Sequence, residues 1–215
     1  MLRTEAEAVL ELWLVRHGET EWNRTRRVQG SSDVPLNAAG VEQAEALARR
    51  IGTESFDAVY TSDLVRAART AELVFPGADL TLDPRLREID LGAFEGRVWG
   101  EVSEEEQVQF AVWFMGPYDQ RVPGGESSDD VRARLRDWLD SLPKAGRVIA
   151  FSHGGTIGTL LQLVTGRPAT RTWNEPGGWG FRLANTSISK LYVSASYVTL
   201  ETIGDAAHLE PRATI

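Results

Sequence analysis

"VLELWLVRHGET", residues 9–20, joins two kinds of sequence at a single point. From Val9 to Val15 the chain is apolar except for Glu11, which fits a strand buried in a sheet. The run then stops on Arg16 and His17 and turns at Gly18. A histidine directly after such a strand stands where side chains leave a parallel sheet for the crevice at its carboxyl end. His17 is one of only three histidines in the chain. Taken alone, the stretch fits a core histidine beside a surface arginine equally well, so the rest of the chain has to decide.

The pattern returns in "RVIAFSHGG", residues 147–155, where a second apolar run ends on His153 and Gly154. Between the two runs, strands and helices alternate. In "VEQAEALARRI" (41–51), Val41, Ala44, Leu47, Ala48 and Ile51 recur every three or four residues, which predicts a helix with Asn37 as its N-cap. "FDAVYTS" (56–62) reads as a short strand feeding the amphipathic helix "DLVRAARTAELVF" (63–75). "GADLTLDPRLREID" (77–90) supplies another strand, ended by Pro84, and a loop. A helix is expected over Ser103–Met115, with Phe110, Trp113 and Phe114 on one aromatic face. Another is expected over 130–142, with Val131, Leu135, Trp138, Leu139 and Leu142 in helical spacing. "TIGTLLQLVTG" (156–166) reads as a helix closed by Gly166, and "TSISKLYV" (186–193) and "YVTLETI" (197–203) as final strands. The rhythm predicts an α/β fold: one domain over 1–215, a three-layer sandwich with a mostly parallel central sheet and helices on both faces. A helical insertion at about 97–142 is expected near the site.

Composition narrows the function. The chain has 215 residues and a formal net charge of −8, with 42% hydrophobic and 25% charged residues. No basic surplus is available to neutralise a nucleic-acid backbone, so a nucleic-acid partner is not expected. An anion site must be local, built from a few arginines in an acidic shell. The chain has no cysteine, which excludes disulfides, thiolate metal ligands and cysteine nucleophiles. "MLRTEAEAVLELWLV" does not read as a signal peptide and no run reaches membrane-spanning length, so a cytoplasmic protein without membrane contact is expected. Exposed sheet edges leave room for a homodimer.

If the two His-Gly strands are neighbours, His17 and His153 meet at one crevice. Arg66 falls in the first turn of a helix that follows a strand, where an anion is already favoured and the guanidinium fork suits phosphate oxygens. Arg16, Arg66, the two histidines and a helix start make a coherent phosphate pocket. A zinc site is the rival use of histidines, but neither HExxH nor a cysteine pair is present, so no metal and no cofactor are expected.

These residues carry a resemblance to the histidine phosphatase superfamily, also called phosphoglycerate-mutase-like. "LVRHGETEWN", "RVQGSSDVPLNAAGVEQA", "VYTSDLVRAARTAELV", "LREIDLGAFEG" and "FSHGGTIGTLL" resemble its motifs in its order, and "NTSISKLYV" and "IGDAAHLE" are similar to its final segments. The resemblance implies that His17 attacks phosphorus and becomes phosphohistidine, with its other ring nitrogen held by a backbone carbonyl. Arg16, Arg66 and His153 would hold the phosphoryl oxygens, and Glu88 would give and take the proton, with Asp90 and Glu95 as lesser candidates. Asn23, Gln29, Gly30 and Gly154 would add substrate contacts, while Glu19 and Thr20 would order the loop and His208 would be structural. The implied activity is metal-independent hydrolysis of a small phosphorylated metabolite. The Gly154–Gly155 pair, the short span from Glu88 to His153 and "VPGGESSDDV" resemble the phosphatase branch more than the mutases. A phosphoglycerate mutase and a non-catalytic phospholigand binder are the alternatives, the last disfavoured because the whole set of five residues is present. Substrate selectivity is expected in the middle segment and near "TRTWNEPGGWG" (170–180).

Overall fold

The computed structural model describes residues 7–108, 120–166, 181 and 183–209. Six strands form one sheet: β1 (Leu10–Arg16), β2 (Ala58–Thr61), β3 (Leu80–Leu82), β4 (Gly146–Ser152), β5 (Ile188–Val193) and β6 (Val198–Asp205). Their order is β3-β2-β4-β1-β5-β6. The first four are mutually parallel, and β5 and β6 add an antiparallel edge. The α/β class, the mainly parallel sheet and the two helical layers agree with expectation.

Side-chain alternation explains the layers. Leu10, Leu12 and Leu14 of β1 face one side of the sheet, with Val148 and Ala150 of β4. There they meet α4 (Ser128–Ser141), through Val131, Leu135 and Trp138, and α5 (Gly154–Thr165), through Ile157, Leu160 and Leu161. Trp13 and Val15 face the other side with Ile149 and Phe151, against Leu47 and Ile51 of α2 (Ala38–Ile51) and Ala71 and Val74 of α3 (Val65–Val74). β1 and β4 are thus buried on both faces, as near-continuous apolar runs require.

Register places the site. Arg16 pairs with Ser152, and Thr61 with Phe151, so β1, β4 and β2 end at one level. His17, His153 and Ser62 are the residues that follow those ends.

Several boundaries differ from the sequence reading, each for a local reason. A short helix, α1 (Glu21–Arg24), was not expected; Thr20 and Asn23 form its capping box. Helix α4 begins at Ser128, because Ser127 and Asp130 make a second capping box. Helix α5 begins at Gly154, two residues early, for a reason that belongs to the site. In the middle segment residues 104–108 are helical, but Phe110, Trp113 and Phe114 lie outside the described residues, as does 170–180. Among the described residues no helix is long and apolar enough to cross a membrane.

Asn37 caps α2 as expected, accepting from the Gly40 amide at 2.8 Å. It also ties α2 to the loop after His17: the Asn37 amide donates to the Glu19 carbonyl at 2.9 Å, and its side chain donates to the Glu19 carboxylate at 2.8 Å. The backbones come so close that a Cβ on Gly40 would lie 2.1 Å from the Glu19 carbonyl oxygen. Gly40→Ala should therefore destabilise the fold by about 1–3 kcal/mol, the usual cost of overpacking. Urea denaturation should show a lower midpoint at unchanged slope.

Candidate active site

The five expected catalytic residues converge at the carboxyl ends of β1, β2 and β4. His17 is 2% exposed, and its ring centroid lies 5.1 Å from that of His153. Nδ1 of His17 is 2.6 Å from the Gly18 carbonyl oxygen. That oxygen can only accept, so Nδ1 carries the hydrogen and the ring lone pair sits on Nε2. Burial, followed by the charges of Arg66 and Arg16, holds His17 well below the usual histidine range.

The backbone around His17 is fixed from three sides. Its amide donates to Ser152 of β4 at 2.9 Å. The Gly18 amide donates to the Thr70 hydroxyl at 3.0 Å, which donates to the Arg66 carbonyl at 2.7 Å. Asn185 donates from Nδ2 to the His17 carbonyl at 3.0 Å, and the Thr186 amide is shared between the carbonyls of Arg16 and His17. Thr186 has a φ of 57°, unusual for a β-branched residue. Its hydroxyl lies 2.9 Å from Nε2 of His208, which places His208 behind the site rather than in it.

Arg66 is fully buried, and three of its five N–H groups are committed. Nε–H donates to Nδ1 of His153 at 3.1 Å, Nη1 to the Ser32 carbonyl and Nη2 to the Gly30 carbonyl, both at 2.7 Å. Among the described residues, one N–H on each terminal nitrogen remains without a partner. Burial lowers Arg66 to about 10, which leaves it cationic at neutral pH. Because Arg66 can only donate, His153 accepts at Nδ1 and donates from Nε2 to the Ser62 hydroxyl at 2.9 Å. His153 is therefore neutral, and burial and Arg66 hold it well below the usual range. Arg16 commits Nη1 to the Leu183 carbonyl at 2.6 Å, while its buried Nε has no acceptor among the described residues. An unpartnered buried guanidinium N–H is costly, and an anion would relieve it.

Gly30 presents its carbonyl to Arg66 with a φ of +53°, and a Cβ there would run into the Glu95 carboxylate. That carboxylate accepts from the amides of Ser31, Ser32 and Leu91 at 2.7–2.9 Å, so Glu95 anchors the loop that holds Arg66. Asn23 and Gln29 point their side-chain oxygens at Thr20: Asn23 accepts from the Thr20 amide at 3.1 Å, and Gln29 from its hydroxyl at 2.5 Å. Gly154 lies beside the Arg16 guanidinium.

Glu88 supplies the reason α5 starts early. Its carboxylate accepts from the amides of Gly155 and Thr156, both at 3.0 Å, and so caps the helix from outside. Its charge bears on both Arg16 and Arg66. The chain segment carrying it is held by Arg134, which donates to the Arg85 carbonyl and pairs with Glu126 at 2.8 Å. Glu126 in turn accepts from the Asp90 amide at 2.9 Å. At α3, Asp33 accepts from the Val65 amide at 2.7 Å. The expected helix-start contribution to a phosphate site is thus already answered by carboxylates at those amides. Among the described residues no group of three or more His, Asp or Glu side chains could hold a metal ion.

Ser62, Thr70, Glu126, Arg134 and Thr156 were not singled out in the sequence as parts of the site, and Glu95, a lesser candidate for the acid, instead has its carboxylate on the amides of Ser31, Ser32 and Leu91. Their contacts span 64 to 91 residues for Glu95 with Ser31 and His153 with Ser62, a distance at which no local pattern operates.

A model of the histidine phosphatase superfamily (branch 1) matches residues 12–206. A Salmonella choleraesuis protein named "Probable phosphoglycerate mutase GpmB" is 41% identical over 214 residues, covering 94% of this chain and 96% of that one. The solved structure of Bacillus stearothermophilus YhfR is 31% identical, with a TM-score of 0.81 over 94% of this chain and 100% of that one. The alpha-ribazole phosphatase from Shigella flexneri is 28% identical, with a TM-score of 0.78 over 91% and 96%.

The buried histidines make stability depend on pH. Below pH 6.5 the unfolded chain binds protons at His17 and His153 that the folded chain, with both values depressed, does not. Stability should therefore be full above about pH 7 and fall with acidification, by about 1 kcal/mol per histidine at pH 5.5. His17→Gln should reduce that slope in urea denaturation series run from pH 7 to 5.5.

Proposed function

The chain belongs to branch 1 of the histidine phosphatase superfamily, and from that premise we propose that it is a phosphomonoester hydrolase working through a phosphohistidine on His17. The observation that carries the reading is the His17 ring: Nδ1 is tied to the Gly18 carbonyl, and the lone pair is left on Nε2 beside two arginines. A neutral imidazole held in one tautomer is what nucleophilic attack needs.

In the proposed reaction, Nε2 bonds to phosphorus as the bond to the leaving oxygen breaks. Glu88, entering the step as the carboxylic acid, gives its hydrogen to that oxygen and is left as the carboxylate. Glu88 then takes a proton from water as the water oxygen attacks phosphorus, and the N–P bond breaks to release inorganic phosphate and neutral His17. The uncommitted N–H groups of Arg16 and Arg66 meet the charge spread over the phosphoryl oxygens. Because both nitrogens of His153 are engaged, a phosphoryl contact from His153 requires its bond to Ser62 to be exchanged; in the meantime it orients Arg66. Arginines fill the charge-stabilising role without a metal, so activity should survive EDTA. The proposed substrate is a small phosphorylated metabolite, handled in the cytoplasm.

Phosphoglycerate mutase is the second reading, favoured by the name of the 41% identical relative. Hydrolysis is supported by the glycine pair Gly154–Gly155 after His153, which brings no side chain to grip a second substrate end.

Rapid-quench labelling should trap acid-labile, base-stable phosphate on His17, and His17→Ala should abolish both label and turnover. Incubation with 3-phosphoglycerate and with 2-phosphoglycerate separates the readings: phosphate release without interconversion supports the hydrolase, and interconversion without release supports the mutase. Arg66→Ala should cost about 3 kcal/mol in kcat/KM, as loss of a buried charge-stabilising donor does. A change confined to KM would restrict Arg66 to substrate binding.

A further inference from the structure

Glu88 is gripped at two points by a single residue. The Thr156 amide donates to Oε1 of Glu88 at 3.0 Å, and the Thr156 hydroxyl donates to the carbonyl of Arg87, the residue just before Glu88, at 2.6 Å. A hydroxyl has one hydrogen, and the shorter contact takes it. The same oxygen lies 3.2 Å from Oε1, so it packs against the carboxyl while pinning the backbone that carries it. The Gly155 amide holds Oε2 at 3.0 Å, and the Ile89 amide reaches Oε1 at 3.0 Å. Thr156 is fully buried and lies in the first turn of α5, three residues beyond His153. It therefore ties the Arg87–Glu88 segment to the helix that starts at the end of β4, where His153 stands.

We infer that Thr156 is a positioning residue for proton transfer, its hydroxyl locking the Arg87–Glu88 backbone so that the Glu88 carboxyl meets the leaving oxygen. The inference rests on the reading of Glu88 as the proton donor. Donation works only within hydrogen-bond reach, and a displacement of about 1 Å can cost on the order of a hundredfold. The effect must scale with how badly the leaving group needs a proton. An alkoxide leaves poorly unprotonated, whereas p-nitrophenolate leaves readily.

The experiment compares kcat/KM for an alkyl phosphate and for p-nitrophenyl phosphate in the wild type, Thr156→Val, Thr156→Ser and Glu88→Gln. Thr156→Val keeps the shape and the amide and removes the hydroxyl. It should lower the alkyl rate by roughly tenfold more than the nitrophenyl rate, a share of the effect of proton donation. Thr156→Ser, which keeps the hydroxyl, should restore the wild-type ratio. Glu88→Gln should show a larger selective loss, and adding Thr156→Val to it should change the ratio no further, because the two residues act as a unit. If Thr156→Val does not fold, Thr156→Ala removes the same hydroxyl with less bulk and carries the comparison. Equal losses for both substrates in the Thr156 variants, with Glu88→Gln still selective, overturn the inference and leave the Glu88 reading standing. Equal losses in Glu88→Gln overturn the reading and the inference together.

Discussion

The site depends on one buried charge. Arg66 is removed from water, and a buried guanidinium is tolerated only where its donors find acceptors. Its acceptors come from two parts of the chain: the carbonyls of Gly30 and Ser32 in the loop after α1, and Nδ1 of His153 after β4. Its own carbonyl receives the Thr70 hydroxyl, whose oxygen accepts the Gly18 amide. Satisfying this one side chain thus fixes the tautomer of His153, the path of the 29–33 loop and the backbone next to His17. Glu95 serves the same requirement: beside the backbone bond from the Ser32 amide to the Gln29 carbonyl, its carboxylate accepts from the amides of Ser31 and Ser32 in the loop that presents those carbonyls.

The parts of this arrangement that could be read from sequence are those set by short-range rules. Two apolar runs ending in His-Gly announced buried strands and the residues that follow them, and parallel register then brought His17 and His153 together. Asn37 was legible as a cap because capping acts over three residues. Glu95 was legible as a lesser candidate for the acid but not as the anchor of the 29–33 loop, since its partners there, Ser31 and Ser32, sit 64 and 63 residues away. The start of α5 was misplaced for the same reason: its capping group, Glu88, arrives from 67 residues upstream. A helix boundary set by a distant side chain leaves no trace in local periodicity. The family resemblance pointed to Glu88 as an acid, but not to the amides that hold it.

The electrostatic design also departs from the simplest expectation. A helix start beside Arg66 suggested that free amides and the helix dipole would join in holding phosphate. At α3 the Val65 amide already donates to Asp33, and at α5 the amides of Gly155 and Thr156 donate to Glu88. Under the proposed function, phosphate recognition then rests chiefly on the arginines, whose remaining N–H groups are aimed by bonds made elsewhere on the same guanidinium. This division has a chemical consequence. In the proposed reaction, the dipole of α5 acts on the carboxyl group assigned the proton, and the arginine charge acts on the phosphoryl group.

In a chain with a net charge of −8, Arg66 is a buried positive charge with Arg16 beside it. For the proposed substrate, a phosphate on a small molecule, an attraction to Arg16 and Arg66 would act at close range, where screening by solvent is weakest. The neutral histidines belong to the same economy of charge. If His17 or His153 were protonated, a third buried cation would stand beside two others, and the arginines and burial together push both rings away from that state. Holding them neutral leaves His17 with the lone pair that attack on phosphorus requires and His153 with the acceptor nitrogen that Arg66 requires. One electrostatic constraint, the pair of arginines Arg16 and Arg66, together with burial, thus holds both histidines neutral.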